Sequence, residues 1–229
     1  MDQKEFLKQL KDQFPYPPTP GQDSLLYAFS RFTYSSQPRC TLLLKGYAGT
    51  GKTTSVAAYV KTLKGLNQRV VLLAPTGRAA KVLALYSAEQ ALTIHKKIYA
   101  PRTNSGGQRG YVLAPNLHKH TVFLVDEASM IGEQSGMQGE GAFEYRDLLK
   151  DLITYVFNGV NCRLVLIGDT AQLPPVGTDE SPALNEDLLR SRHDLTIATI
   201  ELKEVVRQEM DSGILFNATK LREAIALKD

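Results

Sequence analysis

The chain has 229 residues, 43% hydrophobic and 22% charged, which is the composition of a globular protein and excludes a disordered or fibrous one. Its two cysteines, Cys40 and Cys162, lie beside apolar runs without zinc-ligand spacing, and no segment has the apolar stretch of a signal peptide or the ~18 apolar residues of a membrane span, so a reducing, cytoplasmic setting is the default. The net charge of +3 conceals an asymmetry: residues 1–120 carry 17 Lys/Arg against 5 Asp/Glu, and residues 121–229 carry 10 against 19, so the basic half can either meet a polyanion or be neutralised by the acidic half in a compact fold.

In chain order, residues 4–14 can form an amphipathic helix, ended by Pro15, Pro17 and Pro18. Four short, nearly continuous apolar runs follow at 41–44, 70–74, 122–125 and 164–167, with a weaker fifth at 195–202. Each of the four ends at a Gly, Pro or Asp, as strands buried on both faces of a parallel sheet do. Helical spacing occupies 52–64, 78–87 and 143–157, and again 214–226. Alternating strands and helices predict an α/β fold: a mainly parallel sheet with helices on both faces. Residues 101–120 break the pattern with a polar, glycine-containing stretch that reads as a hairpin or a long exposed loop. Residues 132–141 are glycine-rich without periodicity and read as mobile. There is no internal repeat.

The sharpest motif is Gly46 to Thr53, which reads G-Y-A-G-T-G-K-T and matches G-x-x-x-x-G-K-[ST] between a predicted strand and a predicted helix. Its glycines let backbone N–H groups wrap a phosphate chain at a helix N-terminus. Lys52 would reach the β- and γ-phosphates, and the Thr53 hydroxyl would bind Mg²⁺. Gly46, Ala48, Gly49, Thr50, Gly51, Lys52, Thr53 and Thr54 are therefore the candidate ATP contacts. The run 122–125 delivers two adjacent acids: Asp126 would hold the metal through water, and Glu127 would polarise the attacking water. A third apolar run leads to Gln172, which could hydrogen-bond the γ-phosphate or its water and so sense ATP against ADP; alone it also reads as a solvated residue of a Pro-rich turn. Arg207 could stabilise transition-state charge, although a lone arginine is more often a surface residue.

Together the segments 46–53, 74–81, 93–95, 125–130, 168–173 and 206–208 resemble, in family order, the successive motifs of superfamily 1 DNA helicases. The Thr-Ile-His element at 93–95 and the Asp-Glu-Ala-Ser-Met form at 126–130 resemble the 5′→3′ RecD-like and Dda-like branch, to which the exodeoxyribonuclease V alpha subunit is related. The resemblance implies a RecA-like P-loop NTPase domain, strengthens Gln172 and Arg207, and adds Gln22 as the residue recognising the adenine edge. It implies DNA contacts at Pro75, Thr76, Arg78, Thr93 and His95, and an inserted β-hairpin over 98–119 acting as a pin, where Tyr99, Tyr111, Arg102 and Arg109 could stack on bases or guide phosphates. Outside this context Gln22 reads as a helix-start residue and His95 as a packed core histidine.

The family needs two RecA-like domains, and only the first is recognisable in residues 1–229. The expectation is a fragment of a longer protein whose second motor domain lies elsewhere in the same chain, with weak nucleotide binding and little turnover on its own. The leading function is the motor domain of an ATP-dependent DNA helicase in repair or recombination, with single-stranded DNA as partner, protein partners of a repair complex, and no membrane. The alternatives are a P-loop ATPase switch that binds a protein instead of DNA, and a catalytically silent single-strand-binding module.

Overall fold

The structure, a computed structural model, describes residues 1–103, 109–132, 146–172, 175 and 180–206. In chain order the elements are α1 (Gln3–Asp12), α2 (Pro20–Thr33), β1 (Cys40–Gly46), α3 (Lys52–Gly65), β2 (Arg69–Ala74), α4 (Gly77–Ser87), β3 (Ala91–Thr93), α5 (Ile94–Ile98), β4 (Tyr99–Thr103), β5 (Arg109–Leu113), β6 (Thr121–Val125), α6 (Leu148–Phe157), β7 (Arg163–Gly168), α7 (Glu186–His193) and β8 (Thr196–Leu202). Single 3₁₀ turns lie at Ala128–Met130 and Pro182–Leu184.

The apolar runs form one six-stranded sheet, every pairing parallel, in the order β3-β2-β6-β7-β1-β8. Strands covered on both faces need apolar residues at successive positions, which is why the runs lack polar alternation. Leu42, Leu44, Leu72, Val122, Leu124, Val165 and Ile167 join a core with α1, α2, α3 and Leu83 of α4. Their neighbours Leu43, Leu73, Phe123, Val125, Leu164 and Leu166 join the opposite core with α5, α6 and α7. On the first face Tyr59 is fully buried, stacked on Phe29 at 4.1 Å and 8°, with its hydroxyl 2.9 Å from Thr33 Oγ1. Among the described residues no helix is long and apolar enough to cross a membrane.

The α/β class with a parallel sheet, helices on both faces and a small hairpin is what the sequence predicts. Several bounds differ. The helix expected over 143–157 begins at Leu148, because Asp147 caps it by accepting from the Lys150 amide at 2.9 Å; residues 143–145 lie outside the described residues. The hairpin expected over 98–119 is narrower: Ile98 closes α5, β4 and β5 pair antiparallel from Tyr99↔Leu113 to Thr103↔Arg109, and 114–118 return without regular structure. The weak fifth run becomes β8, a seven-residue partner of β1. Helices α5 and α7 and the three-residue β3 are additional to the expected elements, and of α2 the sequence marks only a start, at Gln22. Most of the glycine-rich stretch, 133–141, and the last helical stretch, 214–226, lie outside the described residues.

Candidate functional site

β1 ends at Gly46 and the chain turns through Gly49 (φ 81°) and Gly51 (φ 82°) into α3. These left-handed positions suit glycine. At Gly51 a Cβ would stand 2.3 Å from Gln22 Nε2, and at Gly46 it would stand 3.0 Å from the Leu202 carbonyl oxygen. Six α-helices begin on a side chain that accepts a backbone N–H: Asp2, Thr19, Thr76, Thr93, Asp147 and Asn185. Among the described α-helices only α3 has no such cap, and its first turn holds no acid. The N–H groups that open a helix have no intrahelical partner, so here they face the loop. The Lys52 ammonium lies across it, donating to the carbonyls of Gly46 (2.6 Å) and Tyr47 (2.8 Å). Backbone donors, an ammonium and the exposed Thr53 are a donor set for phosphate.

Gln22 is buried and bridges two elements. Its Oε1 accepts from the Thr19 amide at 3.1 Å, completing a capping box at α2, and its Nε2 donates to the Thr50 carbonyl at 3.1 Å. The same loop receives the chain after β8, where the Val206 amide donates to the Gly49 carbonyl at 3.0 Å. Arg207 lies outside the described residues.

β6 ends at the acid pair. Asp126 Oδ1 accepts from the Glu127 amide at 3.0 Å, and Asp126 Oδ2 accepts from the Tyr86 hydroxyl. Burial and the charge of Asp126 push the Tyr86 phenol far above its ordinary value, so it is a donor. Glu127 takes left-handed backbone (φ 54°), a conformation costly for a residue with a side chain. Burial, then Asp126, raise the Glu127 carboxyl above the ordinary range, while a side-chain hydrogen bond with Gln172 and the charge of Lys52 oppose them. Gln172 Oε1 accepts from Ser129 Oγ at 3.0 Å. β7 runs between β6 and β1, so the acids and the phosphate loop stand about two strand spacings apart, roughly 10 Å, with Gln172 in the turn that follows the intervening strand. Among the described residues no group of three or more His, Cys, Asp or Glu is arranged to hold a metal ion. A cation here would rely on Asp126, the Thr53 hydroxyl and phosphate oxygens, the ligand set Mg²⁺ favours.

The remaining candidates follow β2 and β3, at the same edge of the sheet. Thr76 and Thr93 are N-caps, each hydroxyl accepting at 3.2 Å from an amide, that of Ala79 and that of Lys96. Pro75 and Thr76 are half-buried and Arg78 is exposed. His95 is half-buried with its pKa lowered by burial, its ring 5.7 Å from that of Tyr99. Tyr99 does not stand out from the hairpin: it is half-buried, its hydroxyl donates to Asp151 Oδ2 at 2.8 Å, and the Arg146 guanidinium lies 5.3 Å from its ring centre. Arg146 Nε donates to the same carboxylate oxygen at 3.0 Å, and its Nη1 to the Tyr111 carbonyl at 2.9 Å. Arg102 and Tyr111 are exposed; the Arg109 side chain lies outside the described positions. Tyr86, Arg146 and Asp151 belong to these networks without any motif to mark them, and Ser129 lies inside the 126–130 motif, which by itself assigns it no role.

A family model described as an AAA domain matches residues 27–226. The ATP-dependent RecD2 DNA helicase of Deinococcus radiodurans is 35% identical over 136 residues, covering 59% of this chain and 16% of that protein. The ATP-dependent DNA helicase dda of Enterobacteria phage T4 is 31% identical over 146 residues, covering 61% and 29%. The chain thus spans less than a third of the length of these two relatives. In fold it is similar to the Pif1 helicase of Candida albicans, with a TM-score of 0.53 at 22% identity over 90% of this chain and 44% of that one. The ordered motifs, the parallel sheet and a match over residues 27–226 place the chain in the AAA domain family, as a RecA-like domain of the superfamily 1, RecD- and Dda-like helicases.

Proposed function

We propose that this domain is the ATP-hydrolysing motor part of a 5′→3′ DNA helicase that acts in repair or recombination. The observation that carries the reading is the uncapped N-terminus of α3 set across β7 from Asp126 and Glu127. The α3 amides and Lys52 would hold the phosphates of ATP, Lys52 exchanging its two carbonyl partners for phosphate oxygens. Gln22 would keep the loop against α2 and present its amide to the base. Thr53 and Asp126 would hold Mg²⁺, which would offset the negative charge of the phosphates. Glu127, its carboxyl raised by burial, would take the proton of the attacking water. Gln172, held by Ser129, would meet the γ-phosphate side, and Arg207 would add positive charge there.

Single-stranded DNA would lie over the ends of β2 and β3, on Pro75, Thr76, Arg78, Thr93 and His95, with Arg102, Arg109 and Tyr111 on the hairpin beside it. Tyr99 would serve by anchoring that hairpin. Movement along a strand would need a second motor domain, in keeping with the greater length of the relatives. In the full-length protein, single-stranded DNA is expected to accelerate ATP hydrolysis in a salt-dependent manner, and Lys52→Ala to abolish that hydrolysis while the protein stays folded. Hydrolysis indifferent to DNA would favour the protein-binding switch.

A further inference from the structure

We infer that Tyr86 is a positioning residue that fastens the nucleic-acid side of the sheet to the metal-binding carboxylate; the inference rests on the motor reading above. Tyr86 sits on the last turn of α4, the helix whose first turn carries Thr76 and Arg78. Leu83 and Ala80, both buried, hold α4 down, and the helix packs on β2 and β3, the two strands that lead to Pro75 and Thr93. The Tyr86 ring packs against the core on the α3 face of the sheet and lines a cavity together with Thr54, Ala57 and Ala58. Its hydroxyl ends on Asp126 Oδ2.

This contact matters because of what holds the other oxygen. Asp126 Oδ1 is taken by the Glu127 amide, so each carboxylate oxygen has its own donor and the carboxylate plane is set from two sides. One donor belongs to the backbone of the proposed base; the other belongs to the helix that opens at the proposed strand contact. A shift of α4 against the sheet would therefore turn the Asp126 carboxylate. Sheet order permits this short route: β6 lies directly beside β2, whereas the phosphate loop is two strands further on.

The test is Tyr86→Phe in the full-length protein, which keeps the ring and deletes the hydroxyl. Two quantities are compared with wild type: the affinity for a fluorescent ADP in Mg²⁺ and in EDTA, and the change in oligo-dT affinity on adding a nonhydrolysable ATP analogue with Mg²⁺. The expected result is unchanged affinity in EDTA, an Mg²⁺-dependent gain about tenfold smaller, the scale of one hydrogen bond to a charged group, and a similarly reduced effect of nucleotide on DNA binding. A purely structural brace would lower the melting temperature and leave both ratios intact, which would overturn the inference. A smaller Mg²⁺ gain with intact nucleotide–DNA coupling would also overturn it, since the link to the strand side would then be absent. If wild type itself shows no Mg²⁺ gain, the motor reading fails first and this inference with it. Should the phenylalanine variant not fold, Tyr86→Met, which fills the same gap without a hydroxyl, gives the same comparison.

Discussion

Gly51 illustrates how a single residue constrains the phosphate loop. Its φ of 82° would cost an L-residue about 1–2 kcal/mol, and its missing Cβ leaves the space that Gln22 Nε2 occupies. Gly51→Ala is expected to expel the Gln22 amide from the Thr50 carbonyl, abolish nucleotide binding and lower the melting temperature by about 2–8 °C, read by calorimetry and a nucleotide titration. Gly65→Ala, where a Cβ meets nothing within 4 Å, should leave both unchanged or slightly improve stability. The legibility of the site divides at this scale. The phosphate loop is contiguous, so its residues are readable from spacing alone. Tyr86 is separated from Asp126 by two strands, a helix and a hairpin, and its tyrosine-on-a-helix signal is that of any core aromatic. Gln22 shows a third case: the capping pattern of Thr19 and Gln22 is visible in the sequence, but its grip on Thr50 arises only from packing.

Elements make a different kind of prediction, because what one side chain holds is a whole hairpin. β4 and β5 form a two-stranded sheet, which is marginal in isolation, and Asp151 of α6 gathers Tyr99 and Arg146 onto one carboxylate oxygen. Asp151→Ala is expected to raise amide exchange in β4 and β5 about tenfold while leaving exchange in β1, β6 and β7 unchanged, measured by hydrogen–deuterium exchange. The strands with continuous apolar character were legible because only doubly covered parallel strands need it. α7 was not, since Leu189 is its sole buried residue among six polar ones and a helix that touches the core once leaves no period. α2 is an intermediate case: Thr19, Pro20 and Gln22 mark its start, and its extent follows only from the buried Leu25, Leu26, Phe29 and Phe32 at helical spacing. β3 is too short for any pattern.

Across the whole molecule the charge asymmetry acquires a place. Exposed Arg78, Lys81, Lys96 and Arg102 lie on α4, α5 and β4, the elements that follow β2 and β3, while Asp169, Glu180, Glu186 and Asp187 line a cavity together with Lys45 and Gln172, on the β7 and β1 side of the sheet. Stability should carry a pH signature. Burial lowers the pKa of His118, and the nearby Lys97 and Arg69 lower it further. Below its ordinary value of 6.5 the unfolded chain then binds the proton more readily than the folded one, so stability is expected to fall as pH drops through 6.5. His118→Gln should flatten that slope in thermal melts taken from pH 8 to pH 5. The sheet order has a further consequence, for how the domain is made. β1 leads directly into the phosphate loop near the start of the chain, yet Thr41 pairs with Leu164 and Cys40 with Thr196. During synthesis this interior strand therefore emerges with both edges bare and waits for two of the latest strands to arrive. Non-local pairing of this kind is slow and exposes unpaired edges to aggregation, so the strand that presents the phosphate loop carries that hazard until β7 and β8 have been made.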